Sequence, residues 1–75
     1  MNGVVKNVVR DRGFGFIKAD GKEWFFHKDQ FNGHWEDLCT DVNAKKQVQV
    51  EFDGRNSPKG PRAEDVRRTD HPNEG

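Results

Sequence analysis

Arg12-Gly13-Phe14-Gly15-Phe16-Ile17-Lys18, followed shortly by Glu23-Trp24-Phe25-Phe26-His27-Lys28, reads as a β-hairpin turned at Ala19-Asp20-Gly21. Side chains alternate between the faces of a strand, so Phe14 and Phe16 share one face, and Gly15 and Ile17 share the other. In the second strand Trp24 and Phe26 share one face, and Phe25 and His27 share the opposite one. Both faces therefore carry rings, but a small barrel has a single interior. The better inward set is Ile17, Trp24 and Phe26. It leaves Phe14, Phe16, Phe25 and His27 as an external patch. Periodicity also permits Phe14 and Phe16 in the core with Phe25 facing a loop.

Outward from the hairpin, the other apolar runs are short and rich in valine and phenylalanine, as strands are. Val4 to Val9 precedes it; Gln47 to Phe52 and a weaker Arg62 to Arg68 follow. Val48, Val50 and Phe52 alternate with Gln47, Gln49 and Glu51, which names the core face of that strand. Turn chemistry separates the runs at Asp11-Arg12-Gly13, at Asp53-Gly54 through Pro58, and at Gly60-Pro61. No helical period persists over three turns. Asp29 to Asn43 is the longest connection, with room for a short helical turn. Five strands in one small chain imply an all-β, nearly closed antiparallel barrel, since an open sheet would expose its edges. The expected barrel spans residues 1–69, and residues 70–75 are expected to form a flexible C-terminal tail.

Composition narrows the classes further. The chain has 75 residues, 13 Lys+Arg against 13 Asp+Glu, and no net charge. It is one small domain with a modest core. Leu, Ile, Val and Phe total 16 of 75 residues, close to the disorder-prone range, but they are clustered as strands require. No apolar stretch approaches a membrane span, and no basic-then-apolar leader opens the sequence. Cys39 is the single cysteine, so neither an internal disulfide nor a zinc framework is expected. The expected setting is the reduced cytoplasm. Zero net charge argues against a polycation that coats duplex DNA by charge alone.

An exposed cluster of rings needs a reason. Unpaired bases supply one, because each contributes ~1–3 kcal/mol when stacked on an aromatic side chain, whatever its identity. Lys6, Arg10, Arg12, Lys18 and Lys28 flank the rings and suit a passing phosphate backbone. The same patch would also serve a small protein–protein adaptor as its hot spot. Other constellations read as structure. His27, His34 and His71 lack ligand spacing, so no metal is expected. Gly13 and Gly15 precede no helix, as a dinucleotide loop would require. Glu36-Asp37 and Glu64-Asp65 belong to polar stretches, and Cys39 lacks a nearby base, so no catalytic group and no cofactor are expected.

Taken together these motifs resemble the cold-shock domain family. Arg12-Gly13-Phe14-Gly15-Phe16-Ile17 is similar to its RNP1 motif, and Phe25-Phe26-His27 to the centre of RNP2. Gly3-Val4-Val5-Lys6 resembles its opening, and Gly60-Pro61-Arg62-Ala63-Glu64-Asp65-Val66 its closing segment. An RRM fits less well, because Ala19 stands where its last RNP1 aromatic belongs and the two amphipathic helices are missing. The resemblance implies a five-stranded Greek-key OB-type barrel. It implies a monomer that binds single-stranded RNA or DNA with low sequence specificity, as an RNA chaperone or regulator of gene expression. By position, Phe14, Phe16, Phe25 and His27 fall on stacking residues, and Trp35 on a stacking aromatic of the following loop. Lys6, Arg12, Lys28, Lys59 and Arg62 complete the expected nucleic-acid-binding set, while Phe31 and Leu38 are expected core anchors.

Two departures matter. Asn7 and Val8 stand where the family has Trp-Phe, and this removes one stacking platform. Lys28 replaces a common aromatic, exchanging stacking for charge. The loops at Cys39–Lys46 and Asp53–Lys59 also read as longer than usual, as tolerated surface insertions. The zero net charge itself divides unevenly: residues 1–18 sum to +3, residues 29–53 to −4, and residues 54–68 to +3. A neutral chain can thus present a basic, ring-studded groove.

Overall fold

A computed structural model describes residues 1–69; the tail expected at 70–75, with His71, lies outside the described residues. Strands β1 (Asn2–Val9), β2 (Phe14–Ala19) and β3 (Lys22–His27) form an antiparallel meander. A 3₁₀ turn (Lys28–Gln30), a two-residue strand β4 (Phe31–Asn32) and helix α1 (Trp35–Asn43) follow. Strands β5 (Gln49–Ser57) and β6 (Gly60–Arg68) form a long hairpin. The sheet order is β3-β2-β1-β5-β6-β4, and β3 also bridges β6. That last bridge, the parallel pair Phe25 and Arg62, closes the five long strands into a barrel. Strand β4 adds a sixth, short strand parallel to β6, where Phe31 meets Val66. No helix among the described residues is long and apolar enough to cross a membrane.

The hairpin faces are as the alternation predicts. Ile17, Trp24 and Phe26 are buried, with Val48, Val50 and Phe52 beside them and Phe31 and Leu38 as anchors. Phe14, Phe16, Phe25 and His27 are half-exposed on the other face, so the alternative with Phe14 and Phe16 in the core is excluded. Gly15 explains why the interior closes: a Cβ there would stand 2.7 Å from the Asn7 carbonyl oxygen and 2.9 Å from Cε1 of Phe26. The missing side chain lets the Phe26 ring lie against the β2 backbone.

Three expectations are corrected. The Asp53–Lys59 stretch is not a long loop. Strand β5 continues to Ser57, and only Pro58 and Lys59 turn the chain before Ser57 pairs with Gly60. Asp53-Gly54 resembles a turn in sequence, but Gly54 serves a close approach. A Cβ there would stand 2.8 Å from Cζ3 of Trp24, so the strand crosses the indole face only as glycine. The fourth strand begins at Gln49 rather than Gln47, although Val48 is buried and its carbonyl accepts from Val5 N–H at 2.9 Å.

The 29–43 connection holds a nine-residue helix, more than a single turn. Trp35, Leu38, Cys39 and Val42 carry the i, i+3, i+4, i+7 spacing of one core-facing helix face, with Leu38 and Cys39 buried and Trp35 and Val42 partly so, but over only two turns. Glu36 and Asp37 in its first turn favour the positive end of the helix dipole. The Cys39–Lys46 stretch is thus largely helix rather than an inserted loop. Burial pushes the Cys39 thiol above its ordinary range, reinforced by Glu36 and partly offset by Arg10, so it stays protonated at neutral pH.

A bulge in β1 has functional weight. Val5 pairs with Ile17 and Asn7 with Phe16, so Lys6 is the extra residue. Val5 and Val8 both point inward, while Lys6 and Asn7 are both exposed. A second bulge bends β6 at Asp65, whose φ of 54° is left-handed. Its carboxylate accepts from Asn32 Nδ2 at 2.6 Å, and its backbone N–H donates to Gln30 Oε1 at 3.3 Å. These bonds hold the bend where β4 joins.

Candidate nucleic-acid interface

The outer face of the β2–β3 hairpin carries three phenylalanines in mutual contact. Phe14 lies 5.4 Å from Phe25 and 6.0 Å from Phe16, and Phe16 lies 5.8 Å from Phe25, between ring centroids. The register produces this cluster, since Phe16 faces Phe25 and Phe14 faces His27 across the ladder. Each ring supports its neighbours, and the cluster costs little ordering when a flat ligand settles on it.

His27 ends β3. Its Nδ1 accepts the Asp29 backbone N–H at 3.2 Å and lies 3.5 Å from the Asp29 carboxylate. The neutral ring therefore keeps its proton on Nε2, leaving a donor on the other edge. Lys28 follows, and its N–H donates to the Gly13 carbonyl at 2.8 Å. Its aliphatic stem covers Gly13, where a Cβ would meet Lys28 Cδ at 2.9 Å. Glycine in the first turn thus lets the lysine cross beside Phe14, and the ammonium has no carboxylate partner among the described residues.

The β6 strand supplies the other wall. Phe16, Phe25, His27, Lys59, Pro61 and Arg62 line one cleft of about 460 Å³. Arg62 lies over the Phe25 ring, with its guanidinium carbon 5.7 Å from the ring centroid. Lys59 sits at the tip of the β5–β6 hairpin, where Ser57 Oγ accepts its N–H at 3.3 Å. Residues far apart in sequence thus meet at the seam where the barrel closes. Pro61 belongs to this wall and was not among the expected site residues; its signal was the Gly60-Pro61 pair itself. Asp29, which fixes the His27 ring, had no such signal.

Not every expected residue joins the face. Trp35, partly buried, packs against the core rings Phe26 and Phe31, at 6.0 and 6.5 Å, and makes no ring contact with the phenylalanine cluster among the described residues. Its position on α1 turns it toward the core, and its indole Nε1 is buried without a hydrogen-bond partner among the described residues. Arg10 is held by Glu36 of α1, which draws it from the expected cationic flank. Lys18 faces Glu23 across the ladder. Lys6 and Arg12 remain exposed on β1 and the first turn, and Asn7 stands directly across from Phe16. Asn7 thus occupies the place of the missing platform.

The sequence matches the family described as the 'cold-shock' DNA-binding domain over residues 1–69. A comparison with curated individual proteins gives no match. The match spans almost the whole chain, including every strand of the barrel and the ring-bearing hairpin, and the chain belongs to the cold-shock DNA-binding domain family.

Proposed function

We propose that this protein binds single-stranded nucleic acid through the outer face of β2 and β3, with low overall sequence specificity. The contact cluster of Phe14, Phe16 and Phe25 carries the reading, because bases that are not paired expose the faces such rings accept. His27 extends the row of rings. Lys6, Arg12, Lys28 and Lys59 hold the phosphates, and Arg62 completes the wall. Trp35, turned into the core, takes no part. Capture of unpaired bases disfavours hairpins by mass action, so the protein acts as an RNA chaperone. It does so as a binder, without a reaction.

Titration with matched single-stranded RNA, single-stranded DNA and duplex at two salt concentrations tests this. Both single strands should bind above the duplex, and log affinity should fall by ~0.7 per neutralised phosphate for each log unit of salt. A protein–protein adaptor would give no saturation with oligonucleotide.

The β1 register adds a second expected result. Asn7→Trp places a ring directly across from Phe16 and should tighten oligonucleotide binding by roughly 1 kcal/mol, about fivefold. Unchanged affinity in the folded variant, measured by the same titration, would put the path of the strand away from β1.

A further inference from the structure

We infer that Arg62 reads a base edge and gives the site a preference for guanine at one position. The inference rests on the proposed single-strand binding and adds a specificity to it. It begins with how the arginines are engaged. Of the six in the chain, Arg10, Arg55, Arg67 and Arg68 each reach a carboxylate, on Glu36, Glu64, Glu51 and Asp41 respectively. Among the described residues Arg12 and Arg62 reach none. Arg12 stands in the turn ahead of the rings; Arg62 stands inside the cleft they line.

The surroundings of Arg62 favour a base over a phosphate. Its guanidinium is held over the Phe25 ring by a cation–π contact, so its donors are oriented before any ligand arrives. Pro61 stiffens the backbone on one side. Lys59, which lines the same cleft, supplies the more flexible point charge suited to a phosphate. A base seated against Phe16 and His27 would present its edge, rather than its face, to the guanidinium. Two parallel N–H donors need two neighbouring acceptors. Guanine offers O6 and N7 together. Thymine and uracil separate their carbonyls with a donor N–H, and adenine sets its amino group beside N1 and N7 and leaves N3 without a neighbouring acceptor. Cytosine offers an acceptor pair on a smaller ring that stacks less well, and the assignment is therefore to guanine.

The test walks a single guanine along a short oligothymidylate and measures affinity by fluorescence titration. Wild-type protein should bind best with guanine at one position, by roughly 5- to 10-fold over plain oligothymidylate, the lower part of what a bidentate pair gives. Inosine there, which keeps O6 and N7, should preserve the gain; 7-deazaguanine, which lacks N7, should lose most of it. Arg62→Lys should abolish the guanine gain, so that its affinities for the guanine-bearing strand and for oligothymidylate become equal, because the charge stays and the fork goes. Equal preference for 7-deazaguanine, or a stronger preference for cytosine, would overturn the assignment. So would an Arg62→Lys variant that retains the gain, or an Arg62→Ala variant that weakens every sequence alike and lowers the salt slope, as a phosphate contact does. Oligothymidylate binding without any guanine gain would sink this inference alone. No binding of any single strand would remove the proposed function with it.

Discussion

Phe26→Ala is expected to leave the barrel barely folded. The ring is 1% exposed, lies against the bare backbone of Gly15, and meets Phe31 and Trp35 at 6.5 and 6.0 Å. Truncating a buried phenylalanine costs ~3–5 kcal/mol, since the cavity left behind collapses only in part. A single core of this size supplies little more than ~3–5 kcal/mol of net stability. Thermal unfolding followed by circular dichroism should show a midpoint lower by more than about 10 °C, or no transition at all. A midpoint within about 3 °C of the wild type would mean that Phe26 is not the centre of the core.

Its neighbour should behave in the opposite way. Phe25→Ala is expected to fold, with a loss of about 1 kcal/mol for its ring contacts, and to weaken oligonucleotide binding by ~1–3 kcal/mol. Phe16→Ala should lose a similar amount. The two rings touch, at 5.8 Å between centroids, so the double variant should lose less than the sum. Phe25→Ala also removes the surface that holds the Arg62 guanidinium. Titration with oligothymidylate beside circular dichroism separates the two effects. Wild-type affinity in folded Phe16→Ala and Phe25→Ala proteins would take the ring platform out of the binding site. Adjacent residues on one strand thus report separately on stability and on binding, because successive side chains point to opposite faces.

That separation was legible in the sequence. The alternation of Trp24-Phe25-Phe26-His27 set neighbouring rings on opposite faces and left two arrangements open, the patch outside or Phe14 and Phe16 in the core, while Val48, Val50 and Phe52 named their own face. Four features were not legible. The face of α1 is written in Trp35, Leu38, Cys39 and Val42, but two turns give too short a period to stand out. The same shortness concealed that Trp35 turns inward. Gly54 carries the local signature of a turn, and its role as a gap over Trp24 appears only when distant strands meet. The β1 bulge shifts Lys6 and Asn7 onto the exposed side together, and strict alternation has no means of announcing an extra residue. The cleft itself joins residues of β2 and β3 to residues more than thirty positions away, and only closure of the barrel brings them together.

That closure rests on one parallel bridge, between Phe25 and Arg62, whereas every other junction between the long strands has an antiparallel ladder of several residues. The thinnest junction of the barrel therefore lies beneath the proposed binding face. A strand of nucleic acid lying across both residues would span that junction from outside and oppose its opening. Binding and folding then become linked equilibria: ligand that recognises only the closed barrel raises the folded fraction by mass action. For a domain of such small net stability, the concentration of unpaired nucleic acid would set part of the protein's own lifetime.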